Sequence, residues 1–457
     1  VRSTIRFVRH NRLVELGDVP PTMTLLDYLR EQEGATGTKE GCGEGDCGAC
    51  TVVLGRLKDG KLVYEPVNAC IQMIGQVDGA EVITVEDLVG ASGSLHPVQA
   101  ALVEHHATQC GFCTPGFVMA LFAMYQATPG VLTRADVNTW IAGNLCRCTG
   151  YRPIVEAALA VSRSPRADRF RTGARDMAGV LGFLANDEGL FVGNGETFFA
   201  APTSLDELVD LYERHPDATI VAGATDVGLW LTKQLRVLPK VIHVGKVAGF
   251  GRIEDTPDEL ILGAGATYGD AEAALVRMDR DLGELLRRLG SKQVRAVGTI
   301  GGNIANGSPI GDMPPALIAL GATVDLRKGR NVRTLPLEEY FIDYGKQART
   351  PGELITAITI PRLRQGQIFR CYKISKRYDQ DISSVMGAFR FTIAGDGTIR
   401  EARIAYGGMA GIPRRAANTE KVLAGTALRD ARAWNRAFVA LRDEFTPIDD
   451  HRASARY

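Results

Sequence analysis

Eight of the nine cysteines in this 457-residue chain lie before residue 149, in two sets of four. Cys42, Cys47 and Cys50 run C-x4-C-x2-C, and Cys70 follows after nineteen intervening residues. That is the plant-type spacing for a [2Fe–2S] cluster. The loop from Gly41 to Cys50 is rich in glycine, so its backbone can wrap closely and turn N–H groups toward anionic sulfur. Zinc knuckles use shorter paired spacings, which makes a four-cysteine zinc site the poorer fit for this set. The second set is Cys110-x2-Cys113, a gap of 32, then Cys146-x-Cys148. Its residues alone fit either a cluster or zinc.

The cysteines also bear on where the chain works. An odd count, with charges scattered from Val1 to Pro20 and no apolar leader core, argues against a secreted disulfide framework. Lysine plus arginine equals aspartate plus glutamate at 53 each, so no excess positive charge points to nucleic acid. No apolar run reaches the ~18–20 residues of a membrane span. A cytoplasmic protein of two to four domains, touching neither nucleic acid nor membrane, is the expectation.

Short strands are predicted around the first set at Thr4–Val8, Leu13–Leu16, Cys50–Leu54 and Lys61–Pro66, with a helix over Met23–Gln32 capped by Thr22. The second set sits among helical patterns. These are Leu95–His106, a helix from Pro115 to Gln126, a capping box at Thr133 and Asp136, and Ile154–Val161 after Pro153. Both cysteine pairs therefore fall at helix ends.

The strings Thr38-Lys39-Glu40-Gly41-Cys42-x-Glu44-Gly45-x-Cys47-Gly48-Ala49-Cys50-Thr51, Gln109-Cys110-Gly111-Phe112-Cys113-Thr114-Pro115-Gly116 and Gly143-Asn144-Leu145-Cys146-Arg147-Cys148-Thr149-Gly150-Tyr151 resemble the iron–sulfur region of the molybdenum hydroxylases. The resemblance implies a multidomain α+β chain. A β-grasp [2Fe–2S] ferredoxin domain (1–84) and a four-helix [2Fe–2S] domain (85–161) come first, so the second set would also hold a cluster. Gln109 and Cys148 match the positions nearest the molybdopterin of the catalytic subunit, which implies that this end faces a partner.

Residues 162–190, weakly periodic and rich in arginine (Arg163, Arg166, Arg169, Arg171), read as a linker. Strands and helices alternate from Phe191 onward, beginning with a capping box at Ser204 and Glu207 and a strand at Thr219–Ala222. Three glycine-rich stretches invite a nucleotide. Gly263-Ala264-Gly265 fails the Rossmann fingerprint because Tyr268 stands where the third glycine belongs. Gly223–Gly228 lacks the following Lys-Ser/Thr of a phosphate-binding loop. The run from Gly298 to Pro309 could offer several N–H donors to a pyrophosphate, or could equally be two tight turns.

The same family resemblance covers 220–233 and 298–312, and it implies an FAD-binding domain of the vanillyl-alcohol oxidase (PCMH) type over 191–366, with a small C-terminal α+β flavoprotein domain over 367–457. Carried over by position, Gly223, Ala224, Thr225, Asp226, Val227 and Gly228 would embrace the pyrophosphate together with Thr299, Ile300, Gly301, Gly302 and Asn303, and Val221 and Ala222 would also bind the cofactor. Asn306 and Asp312 would add polar contacts, while Leu289 replaces an aromatic residue of animal members. The segment Ser375–Ser383 matches the family loop beside the flavin ring. In it Asp381 and Ile382 would face FAD, and Lys376, Arg377 and Tyr378 would face NAD. From the residues alone it is a polar turn. Cys371 reads as a buried thiol.

No Ser-His-Asp or Cys-His arrangement stands out, and nothing after the flavin region would build a molybdopterin domain, so the hydroxylating site is expected on another chain. A fused iron–sulfur and flavin chain resembles the small subunit of the bacterial xanthine-oxidising members. That implies a heterotetramer with a large molybdenum-cofactor subunit on which hypoxanthine and xanthine are oxidised, NAD being the acceptor. The alternatives are the same subunit of an enzyme for another N-heterocycle or an aldehyde, or a stand-alone electron-transfer or interaction module.

Overall fold

A computed structural model describes residues 1–90, 93–128, 130–163, 168–185 and 188–457. It divides into two compact units, one made of Val1–Leu208, Asp217–Val247 and Ser291–Gly298, the other of the remaining residues.

The first unit opens with β1 (Ile5–Arg9), β2 (Arg12–Leu16), β3 (Thr51–Lys58), β4 (Lys61–Asn68) and β5 (Glu81–Ile83), ordered β2-β1-β5-β3-β4. β1 and β5 run parallel and the other pairs antiparallel, the mixed sheet expected of a β-grasp domain. The helix packed on it begins at Leu25 with Thr24 as N-cap, not Thr22, and continues as a wider turn from Tyr28 to Gln32. Thr24 prevails because its hydroxyl accepts from Asp27 N while the Asp27 carboxylate caps the Thr24 N–H, a reciprocal pair unavailable to Thr22. Phe7, Leu25, Leu29, Val52, Val67 and Val82 close the core.

Four helices follow at Pro97–Glu104, Thr114–Ala127, Arg134–Ile141 and Arg152–Ser162. Thr114–Ala127 is central, and its residues from Gly116 to Tyr125 are all buried. The capping box at Thr133 and Asp136 forms as expected.

The linker expectation for 162–190 needs correction where the chain is described, while 164–167 (with Arg166) and 186–187 lie outside the described residues. Helices run over Arg169–Thr172 and Ala174–Leu184. Asp168 bonds His96 and Gln126, and Arg171 donates to the Tyr125 and Gln126 carbonyls, so the segment grips the helical domain. Met177, Leu181 and Leu184 then pack on Val8, Leu57 and Leu62 of the ferredoxin sheet. An i, i+4, i+7 apolar face is what lets so short a helix dock there.

The unit is completed by a sheet of β6 (Leu190–Gly193), β7 (Phe198–Ala201), β8 (Thr219–Val221) and β9 (Lys240–His243), ordered β6-β7-β9-β8. β8 leads through Gly223–Gly228 into a helix at Val227–Thr232.

The second unit holds an antiparallel sheet of β10 (Ile253–Asp255), β11 (Glu259–Gly263), β12 (Thr323–Lys328), β13 (Asn331–Pro336) and, beyond the hairpin β14 (Phe341–Asp343) and β15 (Lys346–Gln347), β16 (Leu354–Pro361). β17 (Gln367–Ile374), β18 (Val385–Ile393), β19 (Ile399–Gly407) and β20 (Arg414–Arg415) form a second antiparallel sheet. Helices Ala417–Leu423 and Ala431–Glu444 share a core with it through Ile404, Leu423, Ala437 and Phe445.

Candidate functional site

The first ligand loop is shaped by positive-φ glycines, and its N–H groups do turn toward sulfur. Glu44 N and Asp46 N each donate to Cys42 Sγ at 3.4 Å, and Cys47 N does so at 3.3 Å. Cys42 N donates to Cys47 Sγ at 3.3 Å, while Asn68 Nδ2 holds the loop by the Gly45 carbonyl at 2.8 Å. Cys50 and Cys70 lie buried beneath. Such donors favour thiolate, the form that binds iron.

Among the described residues no three His, Cys, Asp or Glu side chains surround a single metal position. A binuclear cluster asks instead for two pairs, the two sulfurs of a pair sharing one tetrahedral metal about 3.8 Å apart given metal–sulfur bonds of about 2.3 Å. Pairs are what the structure shows. Cys110 Sγ and Cys148 Sγ are 3.6 Å apart. Cys113 and Cys146 are likewise neighbours, and burial, with the Cys146 sulfur beside it, pushes the Cys113 thiol up to about 12. In the first set Cys42 sits by Cys47, and Cys70 by Cys42 and Cys50. The donor sets fit two-iron clusters. Gln109, Cys110 and Cys148 are all exposed.

The two ligand loops touch directly. Leu145 N, next to Cys146, donates to the Cys47 carbonyl at 2.9 Å. Gly48 has φ +69°, and a Cβ there would stand 2.1 Å from Gly143 O. Asn144 Nδ2 donates to Gly48 O at 3.0 Å and accepts through Oδ1 from Gln293 Nε2 at 2.9 Å. Phe112, between two second-set cysteines, reaches Gly41. Only glycine allows backbones this close.

The first unit's segment expected to meet FAD lies against the first cysteine loop. A Cβ on Gly228 would fall 2.6 Å from Ile71 Cβ, and one on Gly45 would fall 2.5 Å from Ile71 Cδ1. Ile71, directly after Cys70, is thus wedged between loop and segment. Gly223 backs onto Val297 O so closely that a Cβ would sit 2.0 Å from it. Ala224 holds φ +57°, a conformation rarely adopted outside glycine and concentrated at binding sites. Thr225 faces Gly298, the Asp226 carboxylate accepts from Trp230 Nε1 at 3.2 Å, and Val221 and Ala222 lead into the turn.

The other residues expected to meet FAD belong to the second unit. Thr299 caps the short Ile300–Asn306 helix by accepting from Gly302 N at 3.0 Å. Gly301 is pressed on Ala264, while Gly302 is exposed, leaving that edge of the backbone open. Asn303 Oδ1 accepts from the buried Tyr268 hydroxyl at 2.9 Å. Asp312 is buried, taking hydrogen bonds from Lys373 Nζ and Ser383 Oγ, both at 2.5 Å. Asn306 ends the helix, before Gly307.

The 375–383 loop is more than a solvated turn. Arg288 donates to the carbonyls of Tyr378 and Lys373 and to Ser375 Oγ, and Arg287 pairs with Asp379 at 2.9 Å. Tyr378 lies under Arg288 at 4.3 Å and donates to Glu284 at 2.9 Å. The Asp381 carboxylate accepts from Arg377 N and Ile382 N within the loop, and Lys376 reaches the His451 carbonyl. Cys371 is only half-buried, its thiol directed at the Asp281 carbonyl, because its strand borders a small polar cleft with Asp281, Glu284 and Arg288. Arg288 and Lys373 went unmarked in the sequence because their partners are remote in it.

Comparison with known proteins matches each region. Residues 10–72 match a 2Fe-2S iron-sulfur cluster binding domain and 84–159 a [2Fe-2S] binding domain. Residues 195–363 match the FAD binding domain in molybdopterin dehydrogenase, and 370–457 the CO dehydrogenase flavoprotein C-terminal domain. Xanthine dehydrogenase/oxidase of Mus musculus is 30% identical over 95% of this chain and 36% of its own length. Xanthine dehydrogenase of Emericella nidulans is 31% identical over 97% of this chain and 36% of its own. The chain thus spans about a third of the length of these relatives. Among solved structures, reconstituted CO dehydrogenase from Oligotropha carboxidovorans superposes with TM-score 0.53 at 28% identity, covering 58% of this chain and 93% of that one. With four domain matches in the same order as the sites, the chain is a homologue of the iron–sulfur and FAD region of xanthine dehydrogenase, within the molybdenum hydroxylase family.

Proposed function

We propose that the chain is the electron-transfer subunit of a xanthine dehydrogenase, taking electrons from a molybdenum-cofactor partner through two [2Fe–2S] clusters to FAD and on to NAD. FAD supplies the exchange between single electrons and a hydride pair that no side chain can perform. Cys42, Cys47, Cys50 and Cys70 would hold one cluster, and Cys110, Cys113, Cys146 and Cys148 the other. Val221–Gly228, Thr299–Asn303, Asn306, Asp312, Asp381 and Ile382 would bind FAD, and Lys376, Arg377 and Tyr378 would meet NAD. The exposed Cys110 and Cys148, with Gln109, would receive the partner.

The hydrogen bond from Leu145 N to the Cys47 carbonyl carries the reading. It joins a residue adjoining one ligand set to a ligand of the other, as a conduit demands and two independent structural metal sites do not. Ile71 continues the contact from Cys70 to Gly228. A heterotetramer with the large subunit, working in the cytoplasm on hypoxanthine and xanthine, is the corresponding assembly.

The test is anaerobic purification of the chain with its partner. About four irons and one flavin per chain are expected, with bleaching of both absorbances by xanthine and recovery with NAD. Cys148→Ser should lose the helical-domain cluster and keep the flavin. Bleaching by another N-heterocycle, an aldehyde or CO instead of xanthine would move the subunit to a different hydroxylase. A preparation with zinc and no iron would end the electron-transfer reading.

A further inference from the structure

The carboxyl-side ligand loop of the helical domain contains a hydroxyl that cluster ligation does not require. Thr149 Oγ1 lies 3.2 Å from Cys146 Sγ. Its surroundings settle the direction of that contact. Tyr151 N donates to Thr149 Oγ1 at 3.2 Å, and the Tyr151 hydroxyl accepts from Cys146 N at 3.0 Å. An iron-bound cysteine has no proton to give, so the sulfur can only accept. The threonine oxygen already accepts from Tyr151, and its one proton points to Cys146.

The arrangement is built rather than incidental. Tyr151 holds φ +67°, an uncommon conformation for a bulky residue that persists only where its surroundings enforce it. Here its ring meets the buried Phe117 edge-on at 6.2 Å. That anchor fixes both ends of the loop, the N–H on Thr149 and the hydroxyl under Cys146. Among the described residues Cys146 is the one sulfur of this set that meets a side-chain hydroxyl. Its iron would be shared with Cys113, whereas Cys110 and Cys148 form the exposed pair. Cys146 also adjoins Leu145, whose N–H meets the Cys47 carbonyl.

We infer that Thr149 tunes the cluster that Cys146 would help to hold, by donating a hydrogen bond to the Cys146 sulfur. Hydrogen bonds to cluster sulfurs offset the negative charge of the reduced state and raise its potential. The inference rests on the proposal that this domain holds a two-iron cluster, and the experiment separates the two.

The full chain, purified anaerobically, is titrated with reductant and followed by electron paramagnetic resonance, as wild type, Thr149→Val, Thr149→Ala and Thr149→Ser. Removing the hydroxyl should make one of the two cluster signals about tenfold harder to reduce, or about 59 mV for one electron, and leave the other unmoved. Thr149→Ser should restore the wild-type value, which a merely space-filling role for threonine would not predict. Should the valine variant bind no cluster, the smaller alanine carries the same comparison. Full iron content with both potentials unchanged in the hydroxyl-free variants would overturn the role of Thr149. A wild-type chain showing a single cluster signal would instead defeat the two-cluster proposal.

Discussion

Gly48 is the most demanding position in the contact between the ligand loops, and Gly48→Ala measures what that contact is worth. The residue adopts φ +69°, so any Cβ costs roughly 1–2 kcal/mol in backbone strain. The same Cβ would stand 2.1 Å from Gly143 O and 2.6 Å from Asn144 Nδ2. Neither neighbour moves freely. Asn144 is held by Gly48 O, Thr51 and Gln293, and Gly116 leaves no room on the other side of the Gly48 carbonyl. Forced repacking of this kind adds about 1–3 kcal/mol. The total of about 2–5 kcal/mol converts to a fall in melting temperature of roughly 4–20 °C for a unit this large. Gly60→Ala is the control, since Gly60 has φ +73° and nothing within 4 Å of a built Cβ. It should pay the strain alone. Calorimetry of both variants isolates the packing share, and rapid-freeze resonance spectroscopy follows electron arrival at the ferredoxin-domain cluster. Relief of the clash displaces Asn144 and with it the Leu145 N–H, so Gly48→Ala should also slow that arrival. Equal melting temperatures for the two variants, with unaltered electron arrival, would refute the reasoning.

Two further outcomes follow from buried charge. Burial, with Asp87 nearby, raises the Glu81 carboxyl from 4.5 to about 7, and its Oε2 finds no hydrogen-bond partner. The folded chain therefore binds this proton more tightly than the unfolded one, and stability should fall between pH 4.5 and about 7, then level off. That interval amounts to about 3 kcal/mol, so Glu81→Gln should melt higher than wild type at pH 8 and match it near pH 4, as read from melting curves across pH. A wild-type advantage at pH 8 would contradict this. In the second unit, Lys373→Met strands Asp312 with Ser383 as its remaining partner and should cost about 3–5 kcal/mol along with bound flavin. Adding Asp312→Leu should recover the melting temperature but not the flavin, measured as absorbance per chain.

What could be read in advance depended on how far apart the interacting residues stand in the chain. Cys42, Cys47 and Cys50 are local, and their spacing alone points to a plant-type loop whose N–H donors the structure then shows. Capping boxes at Thr133 and Ser204 were legible for the same reason. From the sequence Thr22, just before Met23, reads as the cap, and only the reciprocal bond with Asp27 points to Thr24 instead. The arginines at 169 and 171 read as part of a linker, yet Arg171 reaches the carbonyls of Tyr125 and Gln126, more than forty residues away. The apolar face of Met177, Leu181 and Leu184 does not stand out in so weakly periodic a stretch, and eleven residues are too few to announce a helix without the sheet beneath. The flavin segments were ambiguous from their glycines and became readable through family likeness. Tyr268 was noted there only for breaking a different motif, and its hydroxyl turns out to steady Asn303.

The short helices after residue 168 act as an external brace. Asp168 and Arg171 clasp the helical domain and Leu181 and Leu184 lie on the ferredoxin sheet, so one stretch of chain spans both bodies. Thermal breathing that would part the Cys47 and Leu145 backbones must also peel this brace away. The gap that electrons would cross on the proposed path is thereby kept narrow from two sides, and neither body can loosen without its neighbour registering the loss.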